Sequence, residues 1–356
     1  MTWCINCTPD IFVKLLFILL LLTQNRTLYS LSQCMTTEKM NFSIYSNNLS
    51  KRKYKLDSLV LIWNTNWDPQ FGYSNCEGSF DIGSFKITTN KRDLDIAYIV
   101  IFHQSETHNN FPQRTRSDQI WVWLNVEPPK NVKDITYANG VYNLTASYRH
   151  DSDIYLPYGY FIQEPDNYSY SHKTHNSFSD QKKLVSWFIH GWETDSLRVK
   201  YYETLQHILD IDIYGKDNRI PVNQKCEIIS QYKFYLSFEN SNVTDYITEK
   251  IWENAFICGA IPIALGTSKS TYLKNGIPED SFIHVDDFKS QKDLVSFVEK
   301  IAKNEELYNS YFKWRKGRSI YFSARFGTYS CRVIEYMNKN IVNPRIVSDL
   351  HEWFIS

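Results

Sequence analysis

Glu239, Asn240, Asp245, Tyr246, Glu249 and Lys250 crowd into one short stretch between strongly apolar flanks. Carboxylates and an amide suit hydroxyl groups and a lysine suits an anion, so this mixture has the chemistry of a small-ligand site. The flanks indicate how the stretch is held. Residues 232–239, YKFYLSFE, carry a strand pattern that ends in the polar run Glu239, Asn240, Ser241 and Asn242. Thr244 and Asp245 are each suited to cap a helix, and Ile247, Ile251, Ala255 and Cys258 follow at helical spacing before Gly259. AIPIAL, 260–265, then reads as a short strand of the kind buried in a parallel sheet. A helix N-terminus at the carboxyl edge of such a sheet gathers unpaired N–H groups and positive dipole, which favours phosphate, and Lys250 adds a cation there. An ordinary βαβ unit without a ligand has the same pattern, so the stretch alone leaves both readings open.

A further carboxylate stands upstream. QIWVWLNVE, 119–127, is a Trp-rich apolar strand that delivers Glu127 just before Pro128 and Pro129. A carboxylate there would be partly desolvated, which strengthens it as a general base; the alternative is a strand-end glutamate facing water. SLVLIW (58–63) and IAYIVIF (96–102), the latter followed by His103 and Gln104, are also short buried-strand runs. Their carboxyl ends are where open α/β sheets bind ligands. Farther along, the pattern predicts a strand at 184–189, a helix over 194–209 and a strand at 210–215. Lys216 and Arg219 follow, where basic side chains can meet a diphosphate or simply be solvated. A helix near 271–275, a strand at 282–287, amphipathic helical segments over 292–317 and a helical tail near 331–339 and 347–354 complete the reading. The DSD triplet at 151–153 reads as a surface turn rather than a metal pair, and His172 and His175 lie in a polar linker over 166–183, where a metal role stays open.

The chain has 356 residues and 43% hydrophobic content, enough for a sizeable core and for two domains after an N-terminal preamble. Lys plus Arg and Asp plus Glu balance at 39 each, so no basic field argues for nucleic acid. Seven scattered cysteines lack zinc spacing. Residues 11–22 form the only long apolar run, shorter than the roughly 20 residues that span a bilayer, and read as a signal-anchor or a cleaved signal peptide. Either sends the rest of the chain into the secretory pathway, where the sequons at Asn41, Asn48, Asn143 and Asn167 would be glycosylation sites and disulfides can form. Another sequon begins at Asn242, inside the polar run that follows the strand. Residues 24–56 are polar and aperiodic, a flexible stem.

The segments YKFYLSFENS, DYITEK and GAIPIALG, together with IWVWLNVEPP, ASYRHDSDIYLPYGY, VKYYETL, SFIHVDDF and YFKWRKG, resemble the α-1,3-fucosyltransferase family, in the same order, from about residue 58 to 354. The resemblance implies an α/β fold of GT-B type, two Rossmann-like domains facing a cleft. It divides the chain into a cytosolic tail and anchor (1–23), a stem (24–56), an acceptor-side domain (57–183), a GDP-fucose-binding domain (184–330) and a segment returning to the first domain (331–356). It implies inverting transfer of L-fucose from GDP-fucose to the 3-hydroxyl of GlcNAc in a glycan, in the Golgi as a type II membrane protein or, after signal cleavage, secreted. Glu127 matches the family's base. Glu239, Asn240, Tyr246, Glu249 and Lys250 match its donor segment, Lys216 or Arg219 falls near a basic donor contact, and His103 and Gln104 lie on the acceptor side. No metal is required in this scheme, which leaves Mn2+ a stimulatory role at most. A silent glycan-binding relative, or a transferase using another nucleotide sugar, is the alternative.

Two departures from the family accompany the resemblance. Vertebrate members pair two cysteines near the start of the catalytic region with a C-x-x-C near its end, whereas here Ser84 and Ile334 stand at two of those places. This leaves a bridge between Cys76 and Cys331, which in an entropic model is worth on the order of 4 to 5 kcal/mol. The pairing of Cys34, Cys226 and Cys258 stays open. His103, Gln104 and Ser105 occupy the place of a His-His-Arg run, which bears on acceptor choice.

Overall fold

Apolar runs too continuous to alternate between core and water become two parallel sheets covered on both faces. The computed structural model describes residues 58–356 apart from 65–75, 77–79, 108–110, 133, 166, 169–177, 180–182, 216–221, 323–325, 341, 343 and 344. Lys216, Arg219, Asn41, Asn48, Cys34, His172, His175 and the apolar run at 11–22 therefore lie outside the described residues. The described residues belong to one compact unit.

The first sheet holds β1 (Leu59–Ile62), β2 (Lys86–Thr88), β3 (Ile99–His103), β4 (Ile120–Asn125), β5 (Leu144–Ser147) and β6 (Ile154–Tyr155), in the order β2-β1-β3-β4-β5-β6. All its pairings are parallel. β7 (Gly159–Gln163) leaves this sheet and later pairs antiparallel with β13 (Arg318–Phe322). The second sheet holds β8 (Lys183–Phe188), β9 (Ile211–Tyr214), β10 (Tyr232–Phe238), β11 (Ile261–Leu265) and β12 (Ile283–His284), in the order β12-β11-β10-β8-β9, again parallel. Numbered within itself, that is the doubly wound order 2-1-3-4-5, whose switch point lies between β8 and β10.

Helices close the second sheet on both faces. Val185, Trp187, Phe234, Leu236, Phe238, Ile261, Ile263 and Leu265 share one core with Val199, Tyr202 and Leu205 of α2 (Leu197–Leu205) and with Leu294, Val295, Val298 and Ile301. The intervening positions Phe188 and Tyr235 face the other way, against Ile229 of α3 (Val222–Ile229) and against Ala255, Cys258 and Ala260. This is the two-residue period of a strand written into packing. α1 (Gln104–Thr107) is a single turn after β3, and α4 (Lys269–Lys274), α5 (Gln291–Ala302) and α6 (Glu305–Ser310) follow along the second half. α7 (Phe326–Lys339) and α8 (Leu350–Ile355) then run back to the first sheet's half. There Arg332 donates to the Pro157 carbonyl and Phe354 packs on Trp123 at 4.9 Å.

The helix after β10 starts later than its caps suggest. It runs over Lys250–Ile257 and is wound wide, with the N–H groups of Cys258 and Ala260 reaching back five residues to Glu253 and Ala255. Asp245 does not cap it. This residue takes a positive φ of 64°, and its carboxylate accepts the backbone N–H of His150 at 3.0 Å, so 240–248 is a loop anchored to the other half of the molecule. β7 packs on this π-helix so closely that a Cβ on Gly159 would lie 2.6 Å from the Trp252 ring.

Cys76 and Cys331 are bridged, as the resemblance implied, and Cys226 is bridged to Cys258. One glycosylation expectation is corrected. Asn143 is buried, its Oδ1 accepts from the Trp121 N–H and its Nδ2 donates to the Arg345 carbonyl, so no room remains for a glycan on the folded chain. Asn167, by contrast, is exposed.

The Cys76–Cys331 bridge spans 255 positions. Cys331→Ser is expected to lower the unfolding free energy by about 2–5 kcal/mol in denaturant titration. An unchanged midpoint in the oxidised protein would show that the bridge contributes no stability.

Candidate functional site

The second sheet's carboxyl edge carries a buried charge cluster. Glu239, one residue past β10, has a side chain only 1% exposed, and its Oε2 lies 2.8 Å from Lys250 Nζ. Thr248 holds the carboxylate from the other side, donating its N–H to Oε1 at 2.8 Å and placing its hydroxyl 2.9 Å from both oxygens. Lys250 also donates to Thr248 Oγ1 at 2.7 Å and to Glu249 Oε1 at 3.2 Å. Glu249 is the partly exposed member, at 37%, so it is the carboxylate that faces solvent.

Burial alone would lower the Lys250 ammonium, but Glu239 and Glu249 outweigh it and hold the group above its ordinary value. Burial pushes the Glu249 carboxyl up, and Lys250 pulls it below its ordinary value. The Glu249 contribution is therefore present above the usual carboxylate range and is lost only as the pH falls below it. The Lys250 contribution is lost only as the pH rises above the usual lysine range.

Above this cluster lies a cavity of about 270 Å³, lined by Glu127, Asn240, Tyr246, Glu249 and Lys250 together with Arg198, Lys225 and Asn254. Glu127 reaches it from the first sheet, two residues beyond β4. Asn125 brackets the Glu127 backbone, accepting its N–H at 3.3 Å and donating to its carbonyl at 2.8 Å, while Asn131 donates to Oε2 at 2.7 Å. Tyr158 donates to the Val126 carbonyl at 2.7 Å and fixes the same turn. Tyr246 joins the halves: its ring meets Tyr148 at 5.1 Å and Tyr158 at 6.1 Å, and burial pushes its hydroxyl well above the ordinary value. Next to it, His150 Nδ1 lies 3.1 Å from Asp245 Oδ1.

The structure thus brings Glu127, Asn240, Tyr246, Glu249 and Lys250 to one cavity. Glu239, expected among the donor contacts, does not line the cavity and pairs with Lys250 instead. His103 and Gln104 are corrections. Both are buried; Gln104 donates to the Tyr137 hydroxyl and accepts from Trp123 Nε1, and burial lowers the His103 imidazole to about 4, so it is a neutral core group. Neither lines the cavity. Asn242 is exposed on a separate cavity of about 460 Å³ with Tyr201, Phe288 and Lys289. The acidic triplet is structural: Asp151 pairs with Arg149, and Asp153 accepts from Thr145. Among the described residues, no group of three His, Cys, Asp or Glu converges as a metal site.

Arg198 was absent from the sequence reading. It lies in the first turn of α2, after the switch-point strand β8, and its buried Nη2 donates to the carbonyls of His190 and Gly191 at 3.0 and 2.9 Å. A basic residue at the first helix turn after the first strand of a doubly wound half is a usable signal for it. Its charge is held by carbonyl dipoles rather than by an acid, so it remains available to an anion in the cavity.

Removing the ammonium should leave Glu239 buried and unpaired. Lys250→Met is expected to destabilise the fold by about 3–5 kcal/mol, with part of the loss recovered in the double variant carrying Glu239→Gln. Equal stability of Lys250→Met and wild type in urea would contradict the cluster.

Comparison with known proteins follows the same division of the chain. A family model described as Glycosyltransferase family 10 (fucosyltransferase) C-term matches residues 178–353, and one described as Fucosyltransferase, N-terminal matches 55–159. A 4-galactosyl-N-acetylglucosaminide 3-alpha-L-fucosyltransferase 9 from Mus musculus is 34% identical over 311 residues, covering 86% of this chain and 84% of its own. A 3-galactosyl-N-acetylglucosaminide 4-alpha-L-fucosyltransferase FUT3 from Pongo pygmaeus is 40% identical over 265 residues, covering 72% and 70%. A crystal structure of an alpha1,3-fucosyltransferase with GDP-fucose shares the fold at a TM-score of 0.52 and 17% identity, covering 82% of this chain and 94% of that one.

Proposed function

The chain belongs to glycosyltransferase family 10, the fucosyltransferases, and from that premise we propose that it transfers L-fucose from GDP-fucose to the 3-hydroxyl of GlcNAc in a glycan, with inversion and with Glu127 as general base. The observation that carries this reading is the single cavity in which Glu127 from one sheet faces Arg198, Glu249 and Lys250 from the other. Inversion needs one in-line displacement, for which a base and a leaving-group site must stand on opposite sides of the reacting carbon.

In the proposed step, the acceptor hydroxyl gives its proton to the Glu127 carboxylate as its oxygen bonds to the anomeric carbon of fucose. The bond from that carbon to the β-phosphate oxygen breaks, and GDP leaves with the electron pair. Arg198, Lys250 and the N–H groups at the start of the π-helix offset the charge that grows on the diphosphate. Glu249 and Asn240 are suited to sugar hydroxyls. This arrangement supplies the electrostatic stabilisation from protein groups, so Mn2+ is proposed as a stimulant at most. The relatives named for galactosyl-N-acetylglucosaminide acceptors support a GlcNAc-containing glycan here. Two bridges and the exposed Asn167 sequon suit a luminal catalytic region, with residues 1–23 proposed as its Golgi anchor or as a cleaved signal.

Glu127→Gln is expected to slow transfer from GDP-fucose to a lactosamine acceptor by about 10²- to 10⁴-fold, while calorimetric binding of GDP-fucose changes little. NMR of the wild-type product is expected to give the α-linkage from the β-linked donor. Turnover retained in Glu127→Gln would place the base elsewhere.

A further inference from the structure

The three cations on the cavity wall are unequally committed. Lys250 is held by Glu239 and Glu249, and Arg198 by two carbonyls. Lys225, on α3, is mostly buried at 19% side-chain exposure, yet its carboxylate partner, Glu253 Oε2, lies 3.8 Å away, beyond hydrogen-bond length. Glu127 and Glu249 line the same cavity, and Glu239 and Glu253 stand behind it. Of the two lysines, Lys225 has the longer carboxylate pairing, 3.8 Å to Glu253 against 2.8 Å from Lys250 to Glu239, so a diphosphate entering there competes with a weaker contact at Lys225. The neighbouring wall has a second open group: Asn254 is buried, its Nδ2 donates to the Tyr235 hydroxyl, and its Oδ1 has no partner among the described residues.

The position of Lys225 has a covalent cause. Its neighbour Cys226 is bridged to Cys258 at the end of the π-helix, and the Cys258 N–H donates to the Glu253 carbonyl at 3.1 Å. The bridge therefore ties the turn that carries Lys225 to the turn that carries Glu253 and Asn254. Around it pack Phe188, Ile229, Tyr235 and Ala255.

We propose that Lys225 is a donor-contacting cation whose ammonium turns from Glu253 to the diphosphate of the bound nucleotide sugar, and that the Cys226–Cys258 bridge is the device that positions it. This rests on reading the cavity as the GDP-fucose site.

The test measures GDP binding by calorimetry and donor kinetics in the full chain. Lys225→Met should weaken GDP binding and raise the donor KM about tenfold, the change expected from one charge-assisted contact, with the loss falling on KM more than on kcat. Lys225→Arg should recover most of it. Replacing both Cys226 and Cys258 with Ser should raise KM when Lys225 is present but add less than about twofold in the Lys225→Met background, because bridge and lysine act on one contact. Additive effects, or Lys225→Met with unaltered GDP affinity, would overturn the proposal while leaving the donor site intact. Wild-type protein that binds no GDP would overturn the reading of the cavity and this proposal with it. If the double serine variant does not fold, the Met and Arg substitutions at Lys225 decide alone.

Discussion

An ammonium enclosed by two carboxylates and a threonine is the constraint on which the second half of the molecule depends. Lys250 cannot be buried without Glu239, and Glu239 cannot be buried without Lys250 and Thr248, since a lone charge in either place would cost several kcal/mol. Satisfying that requirement fixes the end of β10, the loop to Thr248 and the first turn of the π-helix in one arrangement. The partly exposed Glu249 is left at the surface of the cluster, facing the cavity. The proposed donor site is thus the outer face of a structural core.

The first sheet supplies what that cluster lacks. Tyr246 and Asp245 reach across to Tyr148, Tyr158 and His150, and the positive φ of Asp245 is tolerated because its carboxylate is claimed by the His150 N–H. Tyr158 also fixes the turn that presents Glu127. The proposed base and the proposed diphosphate site come from different sheets, and this aromatic packing joins the two halves beside their shared cavity.

Much of this was legible beforehand because parallel strands buried on both faces leave unbroken apolar runs, and β3, β4, β8, β10 and β11 all stand where those runs do. Short strands such as Lys86–Thr88, Ile154–Tyr155 and the Gly159–Gln163 pair with Arg318–Phe322 left no such run and went unseen. Thr244 and Asp245 looked like helix caps, but a tertiary partner, His150, outbid local preference and moved the helix start to Lys250. His103 and Gln104 looked like ligand groups at a strand end, and the sequence could not reveal that both are buried or that Trp123 and Tyr137 hold Gln104. Lys225 was overlooked for the opposite reason: nothing in its neighbours' types marks it, and only the fold carries it to the cavity, whereas Arg198 was marked by its place in the first helix turn after β8.

The most direct measurement is a crystal structure of the catalytic region with GDP-fucose and no acceptor. The account predicts the diphosphate against Arg198 and the Lys250 turn, with the anomeric carbon of fucose facing Glu127 across the open cavity. Donor density confined to the separate cavity beside Asn242 and Phe288, or fucose turned away from Glu127, would contradict it.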